Sequence, residues 1–161
     1  MSDYHPIPQP DDISIEEKED AMGGYFMMFA SLAAGLPLPI INIIAAIIYY
    51  YLNKKKSPFV HFHSLQSLIS QIPTSLLNVG LVFWTLRIFL NDWGFSDNYK
   101  GYLITVLIAN LLYVIFSIYA AVRARKGMFF YFLFFGRIAY EAAFRVKPES
   151  EGNSIVNKPP Q

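Results

Sequence analysis

The sequence predicts an all-α integral membrane protein with three transmembrane helices and a C-terminal amphipathic helix in the interface. Three observations carry this. Long apolar stretches run over Met22–Leu52, Leu65–Leu90 and Tyr102–Val122, and about 20 such residues suffice to cross a bilayer core. Charged residues make up 16% of the chain, against about a quarter in soluble domains, and they lie almost wholly outside those stretches. Finally, the basic clusters Lys54–Lys56 and Arg123–Lys126 close the first and third stretches.

At 161 residues there is room for one helical domain, residues 14–146, between tails at 1–13 and 147–161 that are expected to be disordered. Seven acids (Asp3, Asp11, Asp12, Glu16, Glu17, Glu19, Asp20) crowd the N-terminal segment against the single base Lys18. That segment lacks a basic n-region, and the first apolar stretch starts late, so no cleaved signal peptide is expected. There is no cysteine, which excludes disulfides and thiolate catalysis.

Ser14-Ile15-Glu16-Glu17 fits a capping box, so a helix is expected to start near residue 15 and run into the membrane. The first stretch then meets Gly35-Leu36-Pro37-Leu38-Pro39. Each proline removes a helical hydrogen bond and crowds the carbonyl one turn back. One helix kinked at Pro37/Pro39 is expected rather than a hairpin, because each arm is too short to cross alone.

Tyr49-Tyr50-Tyr51 suits an interfacial belt. Ser57-Pro58 reads as an N-cap followed by proline at the first helical position, and the second helix should bend at Pro73 and end before Asn91-Asp92-Trp93-Gly94. The third helix should end at Arg123–Lys126 with Gly127 as its cap. Met128–Phe144 offers only a short apolar run before Arg137 and Glu141. An amphipathic interfacial helix fits it best, with a fourth span as the alternative. The positive-inside bias puts both basic clusters in the cytoplasm, with the N-terminus outside and the C-terminus cytoplasmic, in a bacterial plasma (inner) membrane.

The second helix carries polar residues where lipid tolerates few. Ser67, Gln71, Thr74 and Asn78 follow a 4-3-4 spacing and so share a face. His63 shares a face with Gln66 and Ser67, and Asn110, Tyr113 and Ser117 form a counterpart stripe on the third helix. The face made by His63, Gln66, Ser67, Gln71, Thr74, Asn78 and Asn110 is the candidate partner contact or polar path, against the plainer reading as helix-packing glue. His61 and His63, two residues apart, diverge on a helix and make no metal site. No phosphate-binding glycine loop, nucleophile elbow or paired membrane carboxylate is present. No catalytic residue, cofactor, metal or nucleic-acid partner is therefore expected; the expected partners are membrane lipids, further copies of the chain or other membrane subunits.

Ser57-Pro58-Phe59-Val60-x-Phe62-His63-x-Leu65-Gln66-Ser67 resembles the SPFVxFHxLQS signature of a family of small membrane proteins. That family includes bacterial proteins of unknown function and the channel-like subunit of the chloroplast inner-envelope protein translocon. Glu16-Glu17-Lys18, Pro39-Ile40-Ile41-Asn42 and Ala120–Gly127 extend the resemblance over about residues 14–127. It implies a non-enzymatic component of protein translocation or membrane-protein biogenesis. The alternatives are a homo-oligomeric transporter or channel for small solutes and an accessory subunit that stabilises a larger membrane complex.

Overall fold

A computed structural model describes residues 5–33, 35 and 39–145. Its elements are helices, with no strand among the described residues: α1 (Ile15–Phe26), a 3-10 turn (Met27–Phe29), α2 (Ala30–Ala33), α3 (Pro39–Asn53), α4 (Pro58–Leu90), α5 (Asp97–Arg125) and α6 (Phe135–Phe144). Local chemistry sets the boundaries. Ser14 and Glu17 form the reciprocal capping box, Ser57 caps α4 with Pro58 in its first turn, and Ser96 caps α5. At the end of α5, Gly127 takes φ +72°. Its N–H donates to Ala124 O and the Met128 N–H to Arg123 O, both at 2.9 Å, the paired bonds of a Schellman cap.

The first apolar stretch is a hairpin, not a single kinked helix. The Tyr49 hydroxyl donates to Asp20 O at 2.9 Å, and the Ser31 N–H donates to Asn42 Oδ1 at 2.7 Å. Residue numbers that fall on one arm as they rise on the other describe antiparallel arms. Gly35, at φ +68°, sits in the turn, and Pro39 opens the returning helix. Pro37, half of the expected kink, lies outside the described residues. At 15 residues, α3 measures about 22 Å, too short for a bilayer core of about 30 Å. The hairpin enters and leaves at one end.

Two helices are long and apolar enough to cross a membrane: α4, 33 residues, and α5, 29 residues. Pro73 lies inside α4 without ending it. Only 11% and 22% of their apolar windows is buried, so these helices face outward with their apolar side chains instead of forming a soluble core. On α3, Ile40, Ile44 and Ile48 continue that exposed apolar surface. They recur every four residues and therefore share one face.

The acidic N-terminal segment meets both basic clusters. Lys56 pairs with Asp20 at 2.6 Å and Arg125 pairs with Glu19. The hydrogen bond that Lys56 donates to the Asp20 carboxylate holds its ammonium above its ordinary pKa. The His5 N–H also donates to Phe144 O at 2.8 Å, and Ile13 is buried against Tyr25, Ala120, Ala121 and Ala124. The small alanines let α1 approach α5 closely. Both described ends of the chain and both basic clusters thus lie at one end of the bundle. Acids count little in the positive-inside bias, and for that reason the bias said nothing of their pairing.

The C-terminal helix is shorter than expected. Residues 128–134 are non-helical, and α6 covers only Phe135–Phe144, about 15 Å and so not a span. Ala139 and Phe144 pack on Phe62, while Arg137 and Glu141 form an exposed i,i+4 pair.

Candidate functional site

The polar face of α4 divides into two parts with different surroundings. Nearer the charged end, His63, Gln66 and Ser67 are buried and bonded to their own chain. The Gln66 Nε2 donates to the Tyr25 hydroxyl and to Phe130 O, both at 2.8 Å, and the Phe132 N–H donates to Gln66 Oε1 at 3.2 Å. An amide nitrogen only donates, so Tyr25 accepts from Gln66 and has its own proton for His63 Nδ1, 3.0 Å away. The His63 ring lies between Phe59, Phe62 and Phe129. The Ser67 hydroxyl donates to Gly24 O at 2.7 Å, tying α1 to α4.

These three residues are internal struts. Neither His63 nor Gln66 has any exposed surface within the chain. Residues 128–134 explain the need for them. Non-helical backbone among apolar side chains requires other hydrogen-bond partners, and one carboxamide supplies both a donor and an acceptor. His61 lies apart, its Nε2 3.1 Å from the Tyr50 hydroxyl.

Further along α4, Gln71, Thr74, Ser75 and Asn78 line a cavity of about 250 Å³. The α3 hairpin contributes Ser31, Pro39 and Asn42, and α5 contributes Asn110 and Tyr113. Asn78 and Asn110 bond reciprocally, Nδ2 to Oδ1 at 2.8 Å and 3.0 Å. The Thr74 hydroxyl donates to Gln71 O and the Asn78 amide to Thr74 O, so each donor serves a backbone carbonyl one turn back. The Gln71 Oε1 is buried without a hydrogen-bond partner.

Four of the seven residues singled out from sequence, Gln71, Thr74, Asn78 and Asn110, therefore meet around one cavity, with Tyr113 of the counterpart stripe beside them. Ser31, Asn42 and Ser75 complete the lining. Ser31 and Asn42 are not among the site residues singled out from sequence. Their polarity within an apolar stretch was the available signal, but without the hairpin they had no common destination. No formally charged side chain lines this cavity, and no three His, Asp or Glu among the described residues come together to hold a metal ion.

One protein-family model matches residues 23–139, which takes in the returning hairpin arm, α4, α5 and the whole cavity. The chain belongs to the magnetosome magnetite crystal formation protein family. No curated protein and no solved structure matches it. The matched span includes Ser57–Ser67, the segment that carries the translocon resemblance, and it shows no link to a translocon subunit. Its conspicuous residues have a structural task in this member: Ser57 and Pro58 start α4, Phe59 and Phe62 enclose His63, and Gln66 holds the backbone that follows α5.

Proposed function

We propose that this member of the magnetosome magnetite crystal formation family is a non-enzymatic integral membrane protein of a bacterial magnetosome membrane. It serves crystal formation through the uncharged cavity between the hairpin tip, α4 and α5. The observation that carries this reading is the convergence of eight polar residues from three parts of the chain on one cavity, beneath apolar outward faces. Polar groups among apolar helices are costly and mark functional paths by default. In this reading α4 and α5 span the bilayer and the α1–α3 hairpin enters it from one side. The positive-inside bias assigns the end holding Lys54–Lys56 and Arg123–Lys126 to the cytoplasm, and with it α1.

The test is complementation of a strain lacking the chain. The doubly substituted Gln71→Leu, Asn78→Leu protein should accumulate in membranes and leave magnetite crystals smaller or fewer by electron microscopy. Crystals of normal number and size from that variant would refute the cavity's role.

A further inference from the structure

The end of the bundle remote from the basic clusters holds a second cavity. Its volume is about 290 Å³, and Gly80, Phe83, Trp84, Arg87, Trp93 and Tyr102 line it. That is near the lower end of the range for ligand pockets, about 300–1,000 Å³. The Tyr102 hydroxyl donates to Leu77 O at 2.9 Å, which draws the start of α5 onto α4. Gly80 leaves room for this approach, since a Cβ there would lie 2.6 Å from that hydroxyl. The Trp84 ring packs beside Tyr102 and Tyr99, with centroids 5.6 Å and 5.8 Å away.

The lining carries one charge. Arg87 lies in the last turn of α4, its guanidinium 5.2 Å from the centre of the Trp93 ring. Stacking of this kind holds the group without using its five N–H donors. Among the described residues the Arg87 side chain makes no ion pair and no hydrogen bond, not even with Asp92, while the nearby cation Lys100 is taken by Asp97 at 3.0 Å. No acid lines the cavity. A cation with unused donors calls for an anion, and the planar fork of arginine matches two oxygens of a phosphate.

Position narrows the source of that phosphate. Tryptophan and tyrosine gather where a bilayer meets water, and Trp84, Trp93, Tyr99 and Tyr102 gather here. With α4 and α5 spanning, the cavity sits at the level of the headgroups. Phe83 and Trp93, 62% and 52% exposed, offer apolar surface beside it for the rest of a lipid.

We propose that this cavity binds the headgroup phosphate of an anionic phospholipid, with Arg87 as its cation, in the leaflet opposite the basic clusters. A zwitterionic headgroup would bring a second cation beside Arg87 with no acid on the lining to balance it. The site rests on α4 and α5 as spans and owes nothing to the polar cavity. Its test uses no magnetite, so the two ideas fail separately.

The chain has two tryptophans, and both line this cavity, so intrinsic fluorescence reports on it and not on the basic clusters. The full-length protein in phosphatidylcholine vesicles would be titrated with phosphatidylglycerol or phosphatidylcholine brominated in the upper acyl chains. Brominated phosphatidylglycerol should quench with a preference of about fivefold, what one arginine contributes at an anionic surface. Arg87→Gln should bring the two lipids to parity, and Lys100→Gln, at an exposed cation of the same end, should keep the preference. Arg87→Lys retains the charge without the fork; it should keep only part of the preference and gives a second reading should the glutamine variant fail to accumulate. Equal quenching by both lipids in the unsubstituted protein, or an undiminished preference in either Arg87 variant, would overturn the site. Loss of the preference on adding inorganic phosphate at constant ionic strength would assign the cavity to free phosphate and overturn the lipid.

Discussion

The carboxamide of Gln66 holds the backbone of Phe132, 66 residues away, through the Phe132 N–H, while its own Nε2 holds Phe130 O. One side chain thereby satisfies two backbone groups of the non-helical segment 128–134. The segment can then project Leu133 and Phe134, 80% and 79% exposed, from the bundle beside α6. Such a pair of bare apolar side chains suits insertion into the headgroup boundary.

Replacing Gln66 by leucine should release that segment. Each buried backbone group left unbonded costs about 1–3 kcal/mol. The Gln66→Leu protein should therefore unfold at a lower temperature in detergent, with chymotrypsin cutting first within residues 128–134. Unchanged stability and an intact segment would mean that the aromatic packing alone holds it.

The Asn78–Asn110 pair joins α4 to α5 at the level of the hairpin tip. Interhelical hydrogen bonds in membranes average about 0.6 kcal/mol, with a maximum near 1.7, and this pair makes two. A double-mutant cycle with Asn78→Leu and Asn110→Leu, read by reversible unfolding in mixed micelles, should give a coupling of about 1 kcal/mol. A coupling indistinguishable from zero would mean that the amides are satisfied equally well apart, for example by cavity water.

Acid should loosen the start of α1. Desolvation pushes the Glu17 carboxyl up, but hydrogen bonds from the Ser14 N–H, the Ser14 hydroxyl and Ser57 outweigh it and hold the pKa below 4.5. A carboxylate with a lowered folded pKa contributes stability that is present above its unfolded value and lost as pH falls through the folded one. Amide protection in the first turn of α1 should thus be constant above about pH 5 and decline below about pH 4. The Ser14→Ala variant should be less protected at neutral pH and should change less with acid. Equal acid sensitivity in both proteins would remove Glu17 as the cause.

The helix starts were legible because each depends on a few adjacent residues. Ser14 with Glu17, Ser57 with Pro58, and Gly127 after a basic turn state their own geometry. The 4-3-4 spacing likewise brought Gln71, Thr74 and Asn78 together on one wall, since helical periodicity is local. The hairpin escapes a length rule: arms too short to cross do not exclude a turn, because a re-entrant segment never has to cross. Gly35 followed by Pro39 was a readable signal, because glycine past a helix end and proline at a helix start are the usual punctuation. The struts at His63 and Gln66 were not legible. Their partners, Tyr25 and the 130–132 backbone, lie 38 to 66 residues away, and nothing in the α4 sequence tells a buried amide from an exposed one.

The hairpin fixes both the cavity and the shared end of the termini, so topology is the most direct test. Single cysteines at Asp11, Lys55 and Asn98, all exposed positions, would be labelled with a membrane-impermeant maleimide in sealed vesicles of known orientation. Asp11→Cys and Lys55→Cys should react from the same side and Asn98→Cys only from the other. Reaction of Asp11→Cys and Lys55→Cys from opposite sides would mean that the first apolar stretch crosses the membrane as one helix, and the hairpin with its cavity would be wrong.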